Sequence, residues 1–149
     1  MTKLIINFCI LLLTLIVLVG NFAFAEKMDI ETHSVLIDKL QQVVGLSEEG
    51  VSKQNLIQRL ADLYSERARL YAMENEGKGD VTYKKEITKD RQSALSLYEK
   101  SIKTASLTDK PKILFQMAQI HHLLGNPKKA KKLYEDIIKN QKKYDKELV

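Results

Sequence analysis

Apolar residues in the C-terminal half of the chain return with a period that a helix satisfies and a strand does not. Ile113, Leu114, Met117, Ala118, Ile120 and Leu124 form one such run, and Ala130, Leu133, Tyr134, Ile137 and Ile138 form a second. Between them stands Leu124-Gly125-Asn126-Pro127. Gly125 suits the left-handed residue that closes a helix, Asn126 suits the cap of the next one, and Pro127 brings a preset φ to its first position. The pattern predicts two helices joined by a tight turn.

Upstream the same period predicts three more helices. Leu36, Leu40, Val43 and Val44, with Val35 and Ile37, make an apolar stripe that Gly45 is expected to stop, giving a short helix from about Glu31 to Val44. Ser52 is placed to cap a long helix over Asn55 to Asn75, with Leu56, Ile57, Leu60, Ala61, Tyr64, Ala68 and Tyr71 on one face. A further helix runs through DRQSALSLYEKSIKTA, where Ala94, Tyr98 and Ser101 share a face. Gly77-Lys78-Gly79-Asp80 marks the turn between these two. The charges of Lys84, Lys85, Glu86, Lys89 and Asp90 leave a loop open as the alternative for the segment after it, but the expected form is a long hairpin. Thr108 or Asp109 then caps the helix that opens at Pro111.

The first residues follow a different logic. Met1 to Lys3 carries one positive charge, Leu4 to Val19 is almost wholly apolar, and Ala23-Phe24-Ala25 supplies the small residues of a cleavage site. That order predicts a secretory signal peptide over residues 1–25, hence an exported protein, periplasmic or secreted. An uncleaved anchor is the alternative, because the apolar run approaches the roughly 20 residues that span a bilayer. Removing residues 1–25 leaves 124 of the 149 residues, a suitable length for one domain, and lowers the net charge from +5 to +4. It also removes Cys9, the single cysteine, so the mature chain offers no disulfide, thiolate nucleophile or thiolate metal site. With two prolines and abundant Leu, Lys, Gln and Glu, residues 26–149 read as an all-α domain.

The helix pair from Pro111 to Lys139 resembles one tetratricopeptide (TPR) repeat, a unit of about 34 residues with small residues where its two helices cross and an aromatic beside them. Leu114, Met117, Ala118, Ala130 and Tyr134 fit that pattern, while His121 replaces a usual aromatic and Ile137 a usual small residue. Ile57, Leu60, Ala61 and Tyr64 match its first helix again, in phase, and Ala94, Tyr98 and Ser101 match the second helix after an insertion of about 21 residues. The resemblance divides the chain into repeat one at 53–106, with the insertion near 73–89, repeat two at 111–142, and the start of a third at 145–149. It implies a right-handed stack of antiparallel helix pairs whose first helices line a groove for a peptide or helix. The positions implied to face that groove, and so to bind a partner, are Asn55, Gln58, Asp62, Ser65, Lys112, Phe115, Gln119 and His122. A partner held by its terminal carboxylate is disfavoured, because Asp62 would repel it.

Candidate chemistry adds little. His121 and His122 are neighbours that point about 100° apart on a helix and cannot share a metal. His33, at the start of a helix, reads as a solvated or capping residue. There is no H-E-x-x-H, no phosphate-binding glycine loop and no G-x-S-x-G, so no catalytic residues, cofactor or metal are assigned. From Asn126 to Val149 eight lysines stand against four carboxylates. In an exported protein this excludes nucleic acid as the natural partner and reads first as a solvated helix face, with a membrane surface or acidic partner second. The expected function is a non-enzymatic scaffold that binds another protein of a bacterial envelope. Alternatives are membrane-surface association through the lysine-rich helix, an accessory subunit of an envelope enzyme complex, and self-association through an apolar C-terminal helix.

Overall fold

The computed structural model describes residues 29–145, without the side chain of Asp145; the expected signal peptide, and the expected third repeat beyond residue 145, lie outside the described residues. The described chain is all-α. Its helices are α1 (Ile30–Leu46), α2 (Val51–Glu74), α3 (Val81–Ser101), α4 (Lys110–Leu123), α5 (Pro127–Lys139) and the short α6 (Gln141–Asp145). Among the described residues no helix is long and apolar enough to cross a membrane.

Local chemistry accounts for most of the boundaries. Asp29 caps α1, its carboxylate accepting from the Thr32 amide at 2.7 Å, and that bond holds its pKa below the usual carboxylate value. Asp80 caps α3 in the same way through the Thr82 amide. Gly125 closes α4 at φ +76°, with the Asn126 amide reaching back to the His121 carbonyl at 2.8 Å and the Gly125 amide to that of His122 at 3.0 Å. These paired bonds satisfy carbonyls that the end of a helix would otherwise leave open. Pro111 and Pro127 stand in the first turns of α4 and α5, where a missing amide proton costs nothing.

Four of the expected helix signals act differently. Ser52 is not a cap: α2 starts at Val51 after Gly50, with no side-chain capping bond. Gly45 does not stop α1, which continues through Leu46, since a single glycine in the last turn costs only about 1 kcal/mol. Asp109 and Asn126 occupy cap positions without making side-chain caps; the Asp109 carboxylate instead accepts from the Ser106 hydroxyl at 2.7 Å.

The segment with two glycines is a turn, and the helices on either side of it are long. Gly77 and Gly79 adopt φ of +74° and +67°, and the Asn75 side chain accepts from the Asp80 amide at 2.7 Å. The turn joins the 24 residues of α2 to the 21 of α3 in an extended hairpin. Their interface is drawn together by Ala61 and Ala94, both fully buried, beside Tyr98, which is 1% exposed. Ala118 and Ala130 are the corresponding buried residues of the α4–α5 hairpin. Small side chains allow such close approach of two helix backbones. Ala118→Leu is accordingly expected to cost about 1–3 kcal/mol by overpacking, read as a lower midpoint in thermal melts.

One core joins these hairpins. Ala61, Ala94 and Tyr98 pack with Ile113, Met117 and Ile120, while Ile37 of α1 packs on Leu60 and Leu63. Tyr64 and Leu97 lie against both groups. Tyr134 is only partly buried and meets Phe115 edge to face at 5.8 Å, so it does not fill the α4–α5 crossing as expected. An aromatic pair of this kind contributes about 0.5–1.5 kcal/mol beyond area burial.

A polar node ties α1, α2 and α3 together. Arg67 donates to both Asp90 carboxylate oxygens at 2.8 Å and to the Ser34 hydroxyl at 3.0 Å. Its guanidinium also lies 5.4 Å from the Tyr64 ring and 6.0 Å from that of Tyr71. Asp90 is fully buried, so this pair is internal to the hairpin and not part of a solvated face. His33 is buried as well, its ring Nδ1 placed 2.9 Å from the Asp29 carbonyl, which corrects its reading as a solvated residue.

Candidate functional site

Two helix faces with apolar and polar residues at helical spacing flank a groove between α2 and α4. On α2 the lining runs Arg59, Asp62, Ser65, Arg69 and Ala72, and on α4 it runs Lys112, Gln116, Gln119 and Leu123. From Arg59 to Ala72 the helix rises about 20 Å. Arg91 and Tyr98 of α3 also line this open groove, whose volume is about 620 Å³.

The eight residues singled out from the sequence do not all meet there. Asp62, Ser65, Lys112 and Gln119 line this groove. Asn55 and Gln58 instead line a neighbouring cleft of about 600 Å³ with Ser101, Thr104 and Ser106. Phe115 turns toward Tyr134, and His122 is exposed on α4 outside the groove lining.

The groove's electrostatics differ from what its sequence positions suggested. Asp62 accepts the Tyr98 hydroxyl at 2.6 Å, so its carboxylate is already engaged. Burial, and then the Asp62 carboxylate itself, push the Tyr98 phenol far above its ordinary pKa, and it remains a hydrogen-bond donor. Glu66 is bridged by Arg69 one turn away. Arg59, Arg91 and Lys112 have no carboxylate partner among the described residues. Arg91 donates to the Leu123 carbonyl at 3.2 Å, and burial lowers its pKa. Arg59, Arg69, Arg91 and Gln116 also line the groove although they lie outside the positions that the resemblance implies, Arg91 coming from the second helix of its hairpin.

A second recess lies on the far side of α4, lined by Glu99, Met117, His121, Lys129, Lys132, Leu133, Asp136 and Lys139. The His121 Nδ1 is buried there without a hydrogen-bond partner. Burial and the nearby Lys129 lower its pKa, opposed by Glu99. A histidine whose folded pKa is depressed favours folding while neutral. Stability should therefore be full above the ordinary histidine value of 6.5 and fall as pH drops through the window between that value and the lower folded one. His121→Phe should flatten the melting temperature against pH in that window. Among the described residues no cluster of three or more His, Cys, Asp or Glu is placed to hold a metal ion.

Comparison of the chain with protein-family models, with curated proteins and with solved structures found no match.

Proposed function

We propose that the chain is an exported, non-enzymatic scaffold of TPR-like design that binds a segment of another envelope protein in the groove between α2 and α4. The observation that carries this reading is the groove itself. Two successive hairpins present their first helices to one elongated recess, whose lining mixes apolar residues (Leu63, Ala72, Ile120, Leu123) with amides and charged groups. Such a lining suits a polypeptide, which offers both apolar side chains and backbone hydrogen-bonding groups. The buried alanines at both hairpin crossings, Ala61 with Ala94 and Ala118 with Ala130, support the TPR-like assignment. Export rests on the order of charge, apolar run and Ala23-Phe24-Ala25 at the N-terminus.

The lysines of α5 support a second reading, attachment to an anionic membrane surface. Lys128, Lys129, Lys131 and Lys132 are exposed, and among the described residues only Lys131 of these pairs with a carboxylate, Glu135 at 3.7 Å. Fractionation separates the two readings. The scaffold should remain soluble after export and co-purify with a protein partner, and charge reversal at those four lysines should leave that partner bound. Sedimentation with anionic vesicles that is lost at high salt, with no protein retained, would support the membrane reading instead.

A further inference from the structure

We infer that the segment held between α2 and α4 is acidic, gripped through its carboxylate side chains by Arg59, Arg91 and Lys112. The inference rests on the groove being a binding site and adds the chemistry of its occupant.

The lining carries four fixed cations, Arg59, Arg69, Arg91 and Lys112, against two carboxylates, Asp62 and Glu66. Both carboxylates are engaged from within, Asp62 by the Tyr98 hydroxyl and Glu66 by Arg69. The cations left over come from three helices: Arg59 from α2, Arg91 from α3 and Lys112 from α4. Unpaired cations converging on a recess with low-dielectric walls focus a positive potential into it and favour anionic groups over neutral ones. Arg91 sharpens the argument. It is partly buried, is bonded to the Leu123 carbonyl and has no counter-charge among the described residues, so the occupant is the natural source of one.

Size and lining favour a polypeptide over a small anion. The cations are spread over a recess about 20 Å long. About six residues of extended chain span that length, which a single phosphate does not. Leu63, Ala72, Ile120 and Leu123 line the same recess, which suits an occupant that carries apolar as well as acidic side chains. Gln116 and Gln119 supply donors and acceptors for the backbone of such a segment.

Fluorescence anisotropy with three labelled peptides of about six residues, both ends chemically capped, tests this. One alternates Glu with Leu, one Gln with Leu and one Lys with Leu; capping removes any terminal carboxylate, so only side-chain charge is read. The acidic peptide should bind at least about tenfold more tightly than the Gln peptide and weaken as salt is raised, and the Lys peptide should bind least. Arg59→Glu and Lys112→Glu, both at exposed positions that leave the core untouched, should each weaken the acidic peptide by about tenfold or more. Reversal of Lys128, Lys129, Lys131 and Lys132 should not. Equal binding of the Glu and Gln peptides would overturn the inference and leave the groove as a site of other specificity. No binding of the acidic peptide would also overturn it, and crosslinking from Gln119 in cells would then decide separately whether the groove is occupied. Loss of binding only in the lysine-reversed protein would move the acidic contact to α5 and overturn the inference too.

Discussion

Asp90→Ala should destabilise the fold by about 3–5 kcal/mol, because it leaves the Arg67 guanidinium largely buried with its charge uncompensated. For a domain of this size that corresponds to a fall in melting temperature on the order of 10–20 °C. Arg67→Ala should do comparable damage, and more locally, since Arg67 also meets Ser34 of α1 and the rings of Tyr64 and Tyr71. The informative comparison is the double replacement Arg67→Met with Asp90→Leu. Removing both charges and refilling the volume should recover most of the loss, because buried ion pairs are costly to break and far less costly to replace whole. Single variants that melt like the parent would mean the pair is not buried in solution, and the α2–α3 hairpin would have to be redrawn.

Tyr98→Ala should cost a similar amount, about 3–5 kcal/mol, by a different mechanism. Tyr98 is 1% exposed and sits where α2, α3 and α4 meet, against Ala61, Ala94, Ile113, Met117 and Ile120. Its removal leaves a cavity that the short side chains of Ala61 and Ala94 cannot fill. Tyr98→Phe keeps the ring and removes only the hydroxyl donated to Asp62, so it should cost about 1–2 kcal/mol. It should also change the groove more than the fold, by releasing the Asp62 carboxylate to repel an acidic occupant. Equal loss for the two variants in denaturant titrations would place the hydroxyl, and not the ring, at the centre of the packing.

Helix spacing makes the all-α architecture legible in the sequence. The period of three and four placed the five longer helices, and Gly125 and the two glycines of the α2–α3 turn lie in the left-handed conformations that such positions require. Buried Ala61, Ala94, Ala118 and Ala130 were also legible, because small residues recurring at a helix crossing have a geometric reason to be there. Charge was harder to place. Asp90 reads from sequence as one of a run of exposed charges, and its burial depends on Arg67, which lies 23 positions earlier and meets it only once the hairpin has closed. The burial of His33 is likewise a tertiary fact that its place at a helix start does not reveal. The groove was half legible. Asp62, Ser65, Lys112 and Gln119 line the recess at positions that the TPR resemblance implies, but Arg91 reaches it from the second helix of its hairpin, and no pattern along α2 or α4 could have indicated that.

The most direct test of the groove as the binding site is site-specific photo-crosslinking in the native cell. A crosslinking residue at Gln119, exposed on the groove wall, is compared with one at Lys132, exposed on α5. The groove reading predicts a discrete protein adduct from Gln119, lost when Arg59 and Lys112 are both reversed to glutamate, with little or none from Lys132. An adduct formed from Lys132 alone, to protein or to lipid, would contradict it.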